Sequence, residues 1–212
     1  MHEVAEAAYG DRAAATGFIL TATQPAKSTI CLWISQTSLV HDLGHVPERA
    51  LRELTADRMR RFSVVTRHGS EALWAAEEAI MSGAVHHVIA EVEEADFTAT
   101  RRLALASEKH GVPVTLLLPH RCEGATAAAT RWRVSPRPSA PNRYDPHAPG
   151  ASRCRAVLER CRIAPEEAGR VFDLEWNDET LSLGMVSGMV AGSATARPSR
   201  GNNSPPPQRK AG

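Results

Sequence analysis

The sequence predicts an α/β protein: a mostly parallel sheet flanked by helices and extended by antiparallel strands at its C-terminal end. Two observations carry that class. Up to residue 118, strand-like runs such as Thr29–Ile34 and Val112–Leu118 alternate with helix-patterned segments through short joints, as in a parallel sheet covered on both faces. After His120 the pattern changes to short runs separated by Pro, Gly and Asp-Glu turns, which suits antiparallel hairpins. At 212 residues and 42% hydrophobic content, the chain can bury a core as one domain.

Taken in order, His2 to Ala7 suits a short strand, and Gly10-Asp11 a turn. Ala13 to Thr23 can form a helix, ended by Gln24-Pro25. Thr29 to Ile34 is an apolar strand, Pro47 to Leu54 a helix opened by proline, and Phe62 to Thr66 a third strand. Ser70 is placed to cap a helix running to Met81, whose apolar positions Leu73, Trp74, Ala76, Ile80 and Met81 follow helical spacing, with Gly83 closing it. Val85 to Val92 reads as a strand, Thr98 to His110 as a helix stopped by Gly111, and Val112 to Leu118 as the last fully apolar strand.

Beyond His120, Arg131–Ser135, Arg155–Arg162, Val171–Trp176 and Leu181–Val186 are expected as antiparallel strands. Arg155–Arg162 (RAVLERCR) could also be a helix, since Ala156, Val157 and Cys161 could share a face; strand is preferred. Residues 136–150 are Pro-rich and expected to form a mobile loop. The folded domain is expected over 1–190, and 191–212, basic and rich in Pro and Ser, as a disordered tail.

No run of about 18 apolar residues occurs, so no membrane span is expected. Glu3 and Glu6 near the start argue against a signal peptide. Cys31, Cys122, Cys154 and Cys161 form no CxxC pair and read as reduced thiols. These features point to the cytoplasm. The net charge of +1 hides a polarity. Residues 71–96 carry acids with no Arg or Lys, whereas residues 121–162 are dominated by arginine. The second half therefore suits an acidic partner or nucleic acid, or is simply a solvated arginine-rich surface.

The opening stretch has the layout of a phosphate-binding loop without its lysine. Such a loop reads G-x-x-x-x-G-K-[ST], its amides and lysine holding the phosphates and its hydroxyl the magnesium. Counted from Gly10, the last three positions fall on Ala15, Thr16 and Gly17, and a register placing Arg12 at the lysine loses the second glycine and the hydroxyl. ATP hydrolysis at this loop is not expected.

SEALWAAEEAIMSGAVHHVIAEV resembles the RecA segment of a helix, a turn and the Walker B strand, with Glu91 at the place of RecA's magnesium-associated aspartate. STICLWISQ is similar to the strand ending in RecA's catalytic glutamate, a place held here by Gln36. A neutral amide cannot polarise an attacking water as a carboxylate does. More closely, HEVAEA with its glycine-turn helix, EALWAAEEAI, TRRLALASEKHG, LLLPH, AAATRWRV and the late ERCR…LEW pattern resemble the ImuA family of RecA-like inducible mutagenesis proteins, over roughly residues 2 to 178.

That resemblance implies a degenerate RecA-like core and a non-catalytic accessory role in SOS-induced, error-prone translesion DNA synthesis. The implied partners are an ImuB-like protein, RecA and an error-prone polymerase, reached by protein contacts, with DNA contact indirect. Family members usually carry a segment ahead of the first strand, which leaves that strand's neighbours open. The segments after Glu91 and His120 are far shorter than RecA's DNA-binding loops, so RecA-like binding of single strands is not expected. The alternative is a DNA-binding accessory or a RecA-like ATPase in repair or recombination.

No catalytic, cofactor or metal-binding residue is expected. His41 and His45 have i, i+4 spacing but no third ligand, and Gly44 weakens the helix they would need. His86 and His87 should point to opposite faces of a strand, and EVEEAD at 91–96 reads as a solvated acidic loop rather than an ion site. Alternation should put Trp132 in the core and Arg131 and Arg133 on the other face. Arg131, Arg133, Arg155, Arg160 and Arg162 are the candidate partner-binding residues.

Overall fold

The continuous apolar runs become the middle of a nine-stranded sheet in the computed structural model of the chain, of order β3-β2-β4-β5-β1-β6-β7-β8-β9. It describes residues 1–23, 29–56, 58–142, 144–145 and 147–186, so the expected tail 191–212 lies outside the described residues. The strands are β1 (His2–Glu6), β2 (Thr29–Gln36), β3 (Met59–Thr66), β4 (His87–Glu91), β5 (Val114–Leu118), β6 (Thr130–Arg137), β7 (Arg153–Cys161), β8 (Val171–Asn177) and β9 (Ser182–Met185). Strands β1 to β6 pair in parallel, and β6 to β9 antiparallel. RAVLERCR is thus a strand.

Helices α1 (Arg12–Ala22), α2 (Thr37–Leu43), α3 (Glu48–Thr55), α4 (Gly69–Ser82) and α5 (Phe97–His110) connect the parallel strands. Successive side chains of a strand face opposite ways, and the core divides accordingly. Trp33, Ile89, Leu117 and Val134 pack with Phe18 and Ile19 of α1 and Leu51 of α3. Ile34, Val88, Leu116 and Leu118 pack with Ala76 and Ile80 of α4 and Leu103 of α5. Strands β4 and β5 are buried along their whole length. Trp132 joins the α1 side, its ring 5.5 Å from Phe18 and 5.6 Å from Phe172.

Several expectations are corrected. Ser70 is not the cap of α4: the helix starts at Gly69, and the Glu71 carboxylate accepts the backbone N–H groups of Arg67 and His68. Trp74 and Met81 do not belong to the apolar face; Trp74 is 60% exposed, and the buried positions are Ala72, Ala76 and Ile80. The short helix α2 was not foreseen in a stretch where Thr37, Ser38, Val40 and Asp42 have low helix propensity. The Pro-rich loop begins only after β6 ends at Arg137, and it carries its own ties. Asn142 Oδ1 accepts from the amides of Tyr144 and Asp145, its Nδ2 donates to the Pro149 carbonyl, and the Gly150 amide donates to the Ala140 carbonyl.

At one end of the sheet β3 pairs, among the described residues, only with β2, and Phe62, Val64 and Val65 along it are exposed. No helix among the described residues is long and apolar enough to cross a membrane.

Candidate functional site

Parallel pairing brings the C-terminal ends of β1, β2, β4 and β5 to one side of the sheet, where ligand sites of open α/β sheets form. The polar ends of the apolar strands meet there: Glu6, Ser35, Gln36 and Glu91. Gly10, at φ +95°, turns the chain from β1 back to α1, and Arg12 is the first residue of that helix.

The position of Arg12 decides what this site can do. Its Nη1 lies 3.5 Å from Glu6 Oε1 and its Nη2 3.4 Å from Glu91 Oε2, all three side chains being nearly sealed from water. Ser35 Oγ donates to the same oxygen, 2.8 Å from Glu91 Oε2. Burial raises the Glu6 pKa, and Arg12 and His120 oppose that rise. Nearby, Gln36 Oε1 accepts the backbone N–H of Glu93 at 3.2 Å. The carboxylates that could hold a metal–phosphate group therefore already have an internal cation between them.

The five candidate partner-binding arginines separate into distinct roles. Arg131 is buried: its Nε donates to Glu3 Oε2 at 2.7 Å and its Nη1 to the Gly124 carbonyl at 2.9 Å. Thr126 Oγ1 donates to the other oxygen of Glu3. Arg133 clamps the turn after β5, its Nη1 donating to the carbonyls of Glu6 and His120 at 3.0 and 2.8 Å while its Nε pairs with Glu159. A partner cannot meet Arg131 at this surface, because the Glu3 carboxylate, buried in β1, occupies it. Arg155 grips Asp173 with Nε and Nη2 at 2.7 and 2.8 Å. Only Arg160 and Arg162, at the end of β7, are exposed without an ion pair among the described residues.

His86 and His87 are tied into the sheet by hydrogen bonds. His86 Nδ1 accepts the Ile30 amide at 3.1 Å, and His87, buried, pairs with Thr115 Oγ1 at 3.0 Å. Burial, with His2 nearby, pushes the His87 pKa down to about 4. His41 is exposed beside Asp42, and no group of His, Cys, Asp or Glu suited to a metal occurs among the described residues. The cysteines are free; burial pushes the Cys31 thiol up to about 12 and Cys154 to about 11, so neither is a nucleophile.

Sequence reasoning missed a cleft of about 1030 Å³ between α4, α5 and the turns after β4 and β5. Leu73, Trp74 and Leu103 give it apolar walls; Glu77, Glu93, Glu94, Asp96 and Glu123 give it charge. Trp74, on the side of α4 opposite Ala72 and Ala76, and the acids Glu93, Glu94 and Asp96 were the available signal.

Two curated proteins, each called Protein ImuA and from two strains of Caulobacter vibrioides, are 37% identical to this chain over 113 residues. The match covers 49% of this chain and 46% of theirs, so the chain spans about half the length of the curated relatives it matches. No family model matches. Among solved structures, SulA from Pseudomonas aeruginosa aligns with a TM-score of 0.42 at 17% identity, over 56% of this chain and 97% of that one.

Proposed function

With assignment to the ImuA family, which those relatives support, as premise, we propose that this chain is a non-catalytic accessory of SOS-induced, error-prone translesion DNA synthesis. In this reading it works by protein contacts, with an ImuB-like protein, RecA and an error-prone polymerase as partners, and its sheet is a RecA-like core without its engine. The observation that carries the reading is the Arg12 guanidinium between Glu6 and Glu91.

A nucleotide triphosphate needs a lysine toward its outer phosphates, a magnesium held by a hydroxyl and a carboxylate, and a base for the attacking water. In this chain the loop offers no lysine, the two carboxylates share the Arg12 guanidinium, and Gln36 holds a backbone amide. Removing Arg12 from the cluster to admit a ligand would leave two acidic groups buried together, at a cost of about 3–5 kcal/mol.

The turns after β4 and β5 further support the reading. They are short, and both contribute acidic residues, Glu93 and Glu94 from one and Glu123 from the other. Phosphate backbones are repelled by such a lining.

Retention on immobilised ImuB-like protein and RecA at micromolar concentration, beside titration with ATP and magnesium, tests the proposal. Retention of either protein with no ATP turnover is expected. Turnover that is lost on Glu91→Gln, or failure to retain both proteins, would overturn it.

A further inference from the structure

We infer that the cleft between α4 and α5 seats a cationic segment of a partner protein, with an apolar residue of that segment lying on the indole of Trp74. This rests on the adaptor reading above and names the chemistry of one of its contacts.

Shape comes first. At about 1030 Å³ the cleft stands at the upper limit of small-molecule pockets, which run roughly 300–1000 Å³. It is open along the ends of β4 and β5 rather than enclosed, as a trough for an extended chain should be. Trp74 exposes most of its ring beside Leu73, and a large exposed aromatic at the wall of a concave surface is the usual anchor of protein recognition.

Charge chooses the occupant. The lining acids outnumber Arg102 and Arg121 by three. Arg102 pairs with Glu77, which leaves Arg121 against Glu93, Glu94, Asp96 and Glu123. Asp96 accepts the Ala99 amide at 2.7 Å, which with Glu71 at the start of α4 offsets the positive helix ends that point at the cleft. Glu93 holds only the Ser38 hydroxyl at 2.6 Å, and Glu94 and Glu123 make no ion pair among the described residues. These carboxylates stand on two different turns, so a row of guanidinium groups can meet them along the trough. Phosphates are repelled, and the described residues provide no cluster suited to a metal.

Fluorescence anisotropy of the full chain with a labelled arginine-rich peptide carrying one leucine tests this. Binding that weakens with salt is expected, together with a loss of about tenfold in the combined Glu93→Gln, Glu94→Gln and Glu123→Gln variant. Trp74→Ala should also lose about tenfold but keep the salt slope of the parent. All four positions are outside the buried core, and unchanged unfolding midpoints will establish that the variants fold. Equal peptide affinity in parent and variants overturns the inference, as does a single-stranded oligonucleotide that competes for the cleft. The chain's own tail is the remaining occupant: if replacing Arg197, Arg200, Arg209 and Lys210 by alanine tightens peptide binding, the seat is for that tail and not for a partner. Retention on the ImuB-like protein is measured in the same variants. Retention without peptide binding overturns the cleft alone, and failure of the parent chain to be retained on either the ImuB-like protein or RecA overturns the adaptor reading.

Discussion

Arg131 Nε lies 2.7 Å from Glu3 Oε2, and Glu3 is wholly buried. The two residues are register partners across β1 and β6, so pairing of the strands delivers the ion pair. Thr126 and the Gly124 carbonyl satisfy what remains of both groups. Removing one partner of such a buried pair strands the other charge. Arg131→Ala should therefore lower unfolding free energy by about 3 kcal/mol in urea titrations, with Glu3→Leu added in the same chain recovering part of the loss.

Arg160 and Arg162 make the contrasting case. Exposed and without an ion pair among the described residues, they can be replaced by alanine with a change in stability within about 0.5 kcal/mol. If they contact a partner, retention on the ImuB-like protein falls while the urea midpoint stays put; unchanged retention removes them from the interface.

Arg12→Ala should destabilise by about 3 kcal/mol at neutral pH, because Glu6 and Glu91 are left facing each other out of water. Burial already raises the Glu6 pKa in the presence of the arginine. Without it the folded state binds protons more tightly than the unfolded chain, so the variant's stability recovers as pH falls toward 5. Chemical denaturation at pH 7.5 and pH 5 measures the effect; equal losses at both would contradict it.

His87 predicts acid sensitivity with the opposite slope. Its folded pKa is near 4, below the ordinary histidine value of 6.5, so the folded state excludes a proton that the unfolded chain accepts. Stability is full above the ordinary value and is lost as pH falls from about 6.5 to 4, by roughly 3 kcal/mol from this residue. In His87→Gln the pH dependence over that window should flatten by that amount.

Gly150 has no room for a side chain. A Cβ there would press into the Ala140 carbonyl and lie 2.9 Å from the Pro141 carbonyl oxygen. Gly150→Ala should break the Gly150 amide bond to Ala140 and destabilise by about 1–3 kcal/mol. Limited proteolysis of the 138–152 loop, faster in the variant, checks it.

The sheet was legible because the apolar runs at Thr29–Ile34 and Val112–Leu118 can be buried on both faces only in a parallel arrangement. The placement of Trp132 was legible for a similar reason, since alternation on a strand opposes it to its arginine neighbours. What those neighbours touch was not legible: Glu3 lies 128 positions from Arg131, and only the crossover that puts β6 beside β1 brings them together. The Arg12 cluster was hidden likewise. A motif search asks whether a lysine is present, not whether an arginine from the start of α1 reaches both Glu6 and Glu91. Trp74 was misplaced because helical spacing marks apolar positions without saying which of two apolar faces meets the sheet. Helix α2 depends on tertiary context that local propensity does not contain.

Strand β3 has a practical bearing on handling the protein. Arg60 stands exposed at its beginning, but from Phe62 to Val65 the sheet's rim presents, among the described residues, amide and carbonyl groups with no second strand beside the exposed Phe62, Val64 and Val65. Such a rim zips readily onto another molecule's backbone. Concentrated stocks should turn cloudy unless something caps that border, and a lysine introduced at Val65 is the simplest way to keep them clear.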